Sequence, residues 1–133
     1  METITTECRR VLVVDDQQAH RRVVAFNLEK AGLLAETAES AAEALKLTGQ
    51  KHFDLVISDY FMPGATGADF VRELRETDGY AETPVILLTA RAPELDLARL
   101  ATSLSARVVS KSCSVAQLVA MVADSLSEGR NSS

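Results

Sequence analysis

The stretch Val11-Leu12-Val13-Val14-Asp15-Asp16 decides the fold. Four apolar residues in a row leave no polar face, so a strand here is covered on both sides, as strands of parallel sheets are. The run stops at two carboxylates. A helical pattern follows, with Val24, Leu28 and Ala31 on one stripe, and Gly32 ends it.

The same unit recurs to the end of the chain. Leu33 to Thr37 is a weak strand carrying Glu36, a charge that suits a short edge strand by discouraging pairing with another chain. Ser40-Ala41-Ala42-Glu43 is a capping box that starts the second helix. Phe53 to Ser58 is a buried strand ending at Asp59, and Met62-Pro63-Gly64 marks a loop. The third helix turns Phe70, Val71 and Leu74 inward. Val85 to Leu88 is a further buried strand ending at Thr89, and Pro93 fits the first turn of a fourth helix. Arg107-Val108-Val109 is a short last strand followed by Lys111. Ser114-Val115-Ala116-Gln117 is another capping box, and the helix after it places Val115, Leu118, Val119, Val122 and Leu126 on one face.

Five strand–helix units predict an α/β fold: a doubly wound five-stranded parallel sheet with five helices. A closed barrel of such units needs about 250 residues, and the chain has 133. One domain is expected over residues 9–127, with flexible termini at 1–8 and 128–133. A domain of this size buries roughly two-thirds of its unfolded surface, so one core suffices without disulfides or a structural metal. Ligands of open sheets sit beyond the carboxyl ends of the strands.

Composition excludes several functions. The net charge is −5 and the basic residues are scattered, which argues against a built-in nucleic-acid surface. No apolar run is long enough to span a membrane, and the polar, acidic start of the chain is unlike a signal peptide. A cytoplasmic address is expected. Cys8 and Cys113 form no metal-ligand pattern. They flank opposite ends of parallel strands, so they are expected as reduced thiols with no bond between them. His20 and His52 read as surface or packing residues.

The chemistry-bearing residues are those just past the strands: Asp15 and Asp16, Asp59, Thr89 and Lys111. An aspartate after one strand is ordinary turn chemistry. Five such residues gathered at one edge of a parallel sheet are not. Clustered carboxylates cannot all stay ionised unaided, because like charge raises one pKa. A hard divalent cation such as Mg²⁺ relieves them. With Lys111 as a second positive partner, the set suits an incoming phosphoryl group, attacked in line by a carboxylate.

The runs Val11 to Asp16, Asp54 to Gly64 and Pro84 to Ala90, together with Lys111, resemble a receiver domain of two-component response regulators, and the resemblance covers residues 9 to 127. It implies a flavodoxin-like fold and a signalling protein rather than an enzyme in its own right. Asp59 would accept a phosphoryl group from a histidine kinase or a histidine phosphotransfer protein. Asp16 and Asp59 would ligate Mg²⁺ directly, Asp15 chiefly through water, and the backbone carbonyl of Phe61 would complete the protein's share. Thr89 and Lys111 would hold the phosphoryl oxygens and report them to a downstream protein target or output domain. Two positions depart from the family pattern. Val108 stands where an aromatic residue is usual, and Ser112 stands where a proline joined by a cis bond is usual. A cis bond before a non-proline residue costs about 2.5–4 kcal/mol, so a trans Lys111–Ser112 bond is expected. The altered positions also admit a receiver-fold interaction module that phosphorylation does not regulate. A phosphatase of the haloacid-dehalogenase type is excluded, since Asp15-Asp16-Gln17-Gln18 lacks its D-x-D-x-T pattern.

Overall fold

Each apolar run forms a strand. The computed structural model describes residues 9–90 and 97–131. The strands are β1 Arg10–Val14, β2 Leu34–Ala38, β3 Leu55–Asp59, β4 Val85–Thr89 and β5 Arg107–Ser110. They alternate with helices α1 Gln18–Lys30, α2 Ala41–Gln50, α3 Gly67–Arg75, α4 Leu97–Leu104 and α5 Val115–Asn131. All pairings are parallel, in the order β2-β1-β3-β4-β5. The sheet is doubly wound, and its order reverses between β1 and β3.

Alternate residues of each strand feed opposite faces. Val11, Val13, Leu55 and Ile57 pack with Val24 and Leu28 of α1 and with Leu118, Val122 and Leu126 of α5. Leu12, Val14, Val56 and Leu87 pack on the other side with Phe70, Val71 and Leu74 of α3, Ala44 of α2 and Leu104 of α4. Each fully buried aliphatic side chain stabilises the fold by roughly 1.5–3 kcal/mol, which explains why the runs before the acids had to be apolar throughout. At the edge, Glu36 of β2 pairs with Lys51 at 2.8 Å and with Arg10 at 3.6 Å. No helix among the described residues is long and apolar enough to cross a membrane.

Several local expectations shift. Ala31 is exposed, because α1 stops at Lys30 in a Schellman turn: Leu33 N–H donates to the Leu28 carbonyl and Gly32 N–H to that of Glu29. Gly32, at φ +93°, supplies the left-handed residue. Phe53 is buried but precedes β3. Its N–H donates to the Tyr80 hydroxyl at 3.0 Å instead of to a strand, and that hydroxyl donates to the Lys51 carbonyl at 2.9 Å. Ser114 and Gln117 form a reciprocal capping box. Ser40 caps Glu43, but the Glu43 carboxylate returns to the N–H of Glu39. A further box, Thr66 with Asp69, opens α3. The Lys111–Ser112 bond is trans, and no cis bond occurs among the described residues. Pro93 and Cys8 lie outside the described residues; Cys113 is a free thiol. α5 runs to Asn131.

One arginine ties the α3 end of the molecule together. The Arg75 guanidinium donates to the carbonyls of Tyr80, Thr83, Leu104 and Ser105, at 2.9, 2.6, 3.2 and 2.8 Å. Ser105 itself sits at φ +52°, a conformation that favours glycine. Arg75→Met is expected to leave these acceptors without their donor and to cost about 2–4 kcal/mol of stability. Arg75→Lys is expected to recover little, since a single ammonium does not reproduce the planar fork. Urea denaturation of both variants checks this; an unchanged midpoint for Arg75→Met would contradict it.

Candidate functional site

Parallel strands bring their carboxyl ends to one edge, and the pairing fixes which ends are neighbours. Val14 pairs with Ser58, so Asp15 and Asp59 lie side by side, one step further on. Thr89 pairs with Ser110, which sets Lys111 just beyond the end of β4. The Lys111 N–H donates to the Thr89 carbonyl at 2.8 Å. From there its side chain crosses the end of β4, and Nζ donates to Asp59 Oδ2 at 2.9 Å. Adjacent strands are about 4.8 Å apart, so the two strand spacings are bridged by the lysine stem, the hydrogen bond and the Asp59 side chain together.

Burial divides these residues. Asp15, Asp59 and Thr89 are 1%, 3% and 1% exposed. Asp16 is exposed at the rim. Phe61 follows Asp59 by two residues, with an exposed ring set edge-on to Tyr60. The floor is formed by close backbone contact at Gly67. Its N–H donates to the Tyr60 carbonyl at 2.6 Å, and a Cβ there would lie 2.4 Å from the Asp59 carbonyl oxygen.

The two inner carboxyls share a protonation problem. Burial, and then the neighbouring Asp15, push Asp59 up to about 7, with Lys111 pulling the other way. Burial also pushes Asp15 up, but the Asp59 carboxyl, the Gln17 N–H, His20 and the Lys111 charge outweigh it and hold Asp15 below its ordinary value. The metal-free pair therefore holds one proton, on the Asp59 side, in mildly acidic solution and releases it as pH rises through about 7.

The hydrogen bonding of the pair is unequal. Both Asp15 oxygens are engaged, Oδ1 by the Gln17 N–H at 2.8 Å and Oδ2 by His20 Nδ1. Asp59 Oδ1 is buried with no hydrogen-bond partner. One ligand atom each from Asp15, His20 and Asp59 lie within 4.8 Å of one another. A buried carboxylate oxygen with nothing to accept from, beside a second carboxylate, fits a divalent cation.

The structure thus brings Asp15, Asp59 and Lys111 into one cluster, with Thr89 at its wall and Asp16 at its rim. It adds His20, which the sequence reading placed at the surface or in packing. The available signal was its position in the first turn of the helix that follows the acid-ended strand. Helical side chains lean back toward the N-terminus, and here that direction is the site.

The chain matches the response regulator receiver domain over residues 11–123. It is 32% identical over 114 residues to the phosphate regulon transcriptional regulatory protein PhoB of Escherichia coli K12, covering 86% of this chain and 50% of PhoB. It is 35% identical over 85 residues to the transcriptional regulatory protein ResD of Bacillus subtilis, covering 64% of this chain and 34% of ResD. The chain therefore spans about half, or less, of the length of these relatives. Among solved structures, the chemotaxis response regulator CheY4 of Vibrio cholerae superposes with a TM-score of 0.80 at 32% identity, over 88% of this chain and 98% of that one. TrrA of Thermotoga maritima, solved in complex with Mg²⁺ and BeF, gives 0.75 at 33% identity over 88% and 98%. With nearly the whole described sheet inside these matches, the chain belongs to the response regulator receiver domain family.

Proposed function

We propose that the protein is a phosphorylation-dependent switch in which Asp59 accepts a phosphoryl group from a phosphohistidine of a sensor kinase or phosphotransfer protein. One observation carries the reading. Asp59 has one oxygen held by Lys111 Nζ at 2.9 Å and the other buried without a partner beside Asp15. An oxygen of the Asp59 carboxylate attacks phosphorus, the P–N bond breaks, and its electron pair leaves with the imidazole. Lys111 Nζ transfers its contact from Asp59 to a phosphoryl oxygen, and the Thr89 hydroxyl donates to another. Asp15, Asp16, Asp59 and the Phe61 backbone carbonyl would hold Mg²⁺, which when bound neutralises charge on the acceptor and on the phosphoryl oxygens. Dehydrating reluctantly, Mg²⁺ keeps several waters and binds weakly without phosphate.

Val108 is β-branched, stiff and packed against the α2–α4 side of the core. The phosphoryl group is therefore reported by Thr89 and by the loops before α4 and α5, of which residues 91–96 lie outside the described residues, not by an aromatic rotamer. The readers are a protein target or an output domain, in the cytoplasm.

Incubation with a small phosphodonor and Mg²⁺, read by intact mass, tests the reading. The expected result is a gain of one phosphoryl group, none in Asp59→Asn, and a rate lowered on the order of a hundredfold or more by excess chelator. Asp16→Ala is expected to slow the reaction more than Asp15→Ala. Phosphorylation of Asp59→Asn at another residue would sink the assignment.

A further inference from the structure

His20 is the one member of the pocket that the proposed phosphotransfer does not use. Its Nδ1 contacts Asp15 Oδ2, and its side chain is 28% exposed. It starts from α1 while its neighbours end β1 and β3, so the three come from separate elements. One ligand atom each from Asp15, His20 and Asp59 lie within 4.8 Å of one another, and Asp59 Oδ1 is buried and without a hydrogen-bond partner. The space is therefore bounded by two carboxylate oxygens and one imidazole nitrogen, a mixed donor set.

Donor type decides which ion such a space holds best. Mg²⁺ takes oxygen ligands and keeps its waters, so an imidazole adds little for it. First-row transition dications take imidazole nitrogen readily, with affinity rising from Mn²⁺ through Co²⁺ to Cu²⁺. We propose that His20 Nδ1 is a direct ligand that makes this pocket a mixed nitrogen–oxygen site, selective for a transition-metal dication over Mg²⁺. Coordination through Nδ1 uses the tautomer that carries its proton on Nε2, and it releases Asp15 Oδ2 from its contact with the ring to face the ion. Mg²⁺, by contrast, takes oxygen ligands and keeps its waters, so it leaves the His20–Asp15 contact in place and gains nothing from the ring. The inference rests on reading the Asp15–Asp59 pocket as a cation site.

The test is metal binding to the whole, tag-free protein, without any phosphodonor. Mg²⁺, Mn²⁺ and Co²⁺ are titrated by calorimetry into wild type, His20→Leu, His20→Asn and Asp59→Asn, and Mn²⁺ complexes are examined by pulsed electron paramagnetic resonance. Both His20 variants are expected to lose about tenfold or more in Co²⁺ affinity while Mg²⁺ stays within about twofold. The nitrogen coupling to Mn²⁺ is expected in wild type and absent from both. His20→Asn keeps a donor facing Asp15. If it alone retains Co²⁺ affinity, or if Mg²⁺ and Co²⁺ weaken equally, His20 merely orients Asp15 and the ligand proposal fails. Unchanged Co²⁺ affinity in both variants, with binding still lost in Asp59→Asn, overturns His20 as a ligand and leaves the cation site standing. Binding of every ion unaffected by Asp59→Asn overturns the cation site itself, and the inference with it.

Discussion

Gly67→Ala is expected to lose a large part of the folding stability, on the order of 3 kcal/mol or more. The added methyl would sit 2.4 Å from the Asp59 carbonyl oxygen and 2.9 Å from both the Tyr60 Cα and Leu87 Cδ2. The Leu87 side chain can rotate aside. The other two atoms belong to the end of β3 and the residue after it, which β1 and β4 hold in the sheet. Relief must come from displacing the start of α3, and that breaks the 2.6 Å bond from Gly67 N–H to the Tyr60 carbonyl and strains the Thr66–Asp69 capping box. Single domains are stable by about 5–15 kcal/mol, so such a cost moves the protein near its limit. Gly49→Ala is the control. Gly49 lies in α2 with nothing within 4 Å of an added Cβ, and alanine there is expected to stabilise by about 0.5–1 kcal/mol. Urea midpoints of the two variants shifting in opposite directions is the expected result; equal shifts would show that the contact beneath Asp59 yields easily.

Asp59→Asn is expected to stabilise the metal-free protein at pH 8 while abolishing phosphorylation. Folding raises the Asp59 carboxyl from 3.8 to about 7. Between those values the folded state holds a proton that the unfolded state has already released, so stability falls as pH rises through the window and the loss is complete above it. One unit corresponds to about 1.4 kcal/mol. The limit is thus on the order of 4 kcal/mol, and the lowered Asp15 offsets part of it. Asparagine keeps an oxygen for Lys111 and carries no charge. Its advantage is therefore about 2–4 kcal/mol at pH 8 and shrinks toward zero near pH 4. Denaturation curves across this range, in chelator, decide it. A pH-independent difference would mean that Asp59 is not the group whose protonation folding favours.

The sequence made legible whatever depends on periodicity and on strand ends. Continuous apolar runs mark strands buried on two faces, and a parallel sheet then gathers Asp15, Asp59, Thr89 and Lys111 without knowledge of any contact. The sheet and the receiver family were within reach for that reason. Interactions satisfied by backbone were not. Arg75 reads as one exposed charge among many, because its four acceptors are carbonyls whose directions exist only in the fold. Phe53 looked like the start of a strand because burial and β-propensity favour it there, yet a tyrosine hydroxyl takes the place of the neighbouring strand. His20 was hidden by the opposite problem. A lone histidine carries no pattern, and its meaning comes from how α1 leaves the sheet.

Lys111 is fastened twice, and the two fastenings differ in kind. Its main chain is bonded to the last residue of β4, and the turn beyond it is braced by the Ser110 and Ser112 hydroxyls at 2.7 Å. Its ammonium is held by one flexible contact. The residue behaves as a crane with a bolted base and a free jib. A change of cargo at the tip swings the jib, while the base stays put unless a hydrogen bond worth about 1 kcal/mol is broken. Whatever mechanical work leaves the acceptor pocket through this residue therefore leaves first as a reoriented charge at its mouth, and it reaches the loop before α5 only when the main-chain bond to Thr89 yields.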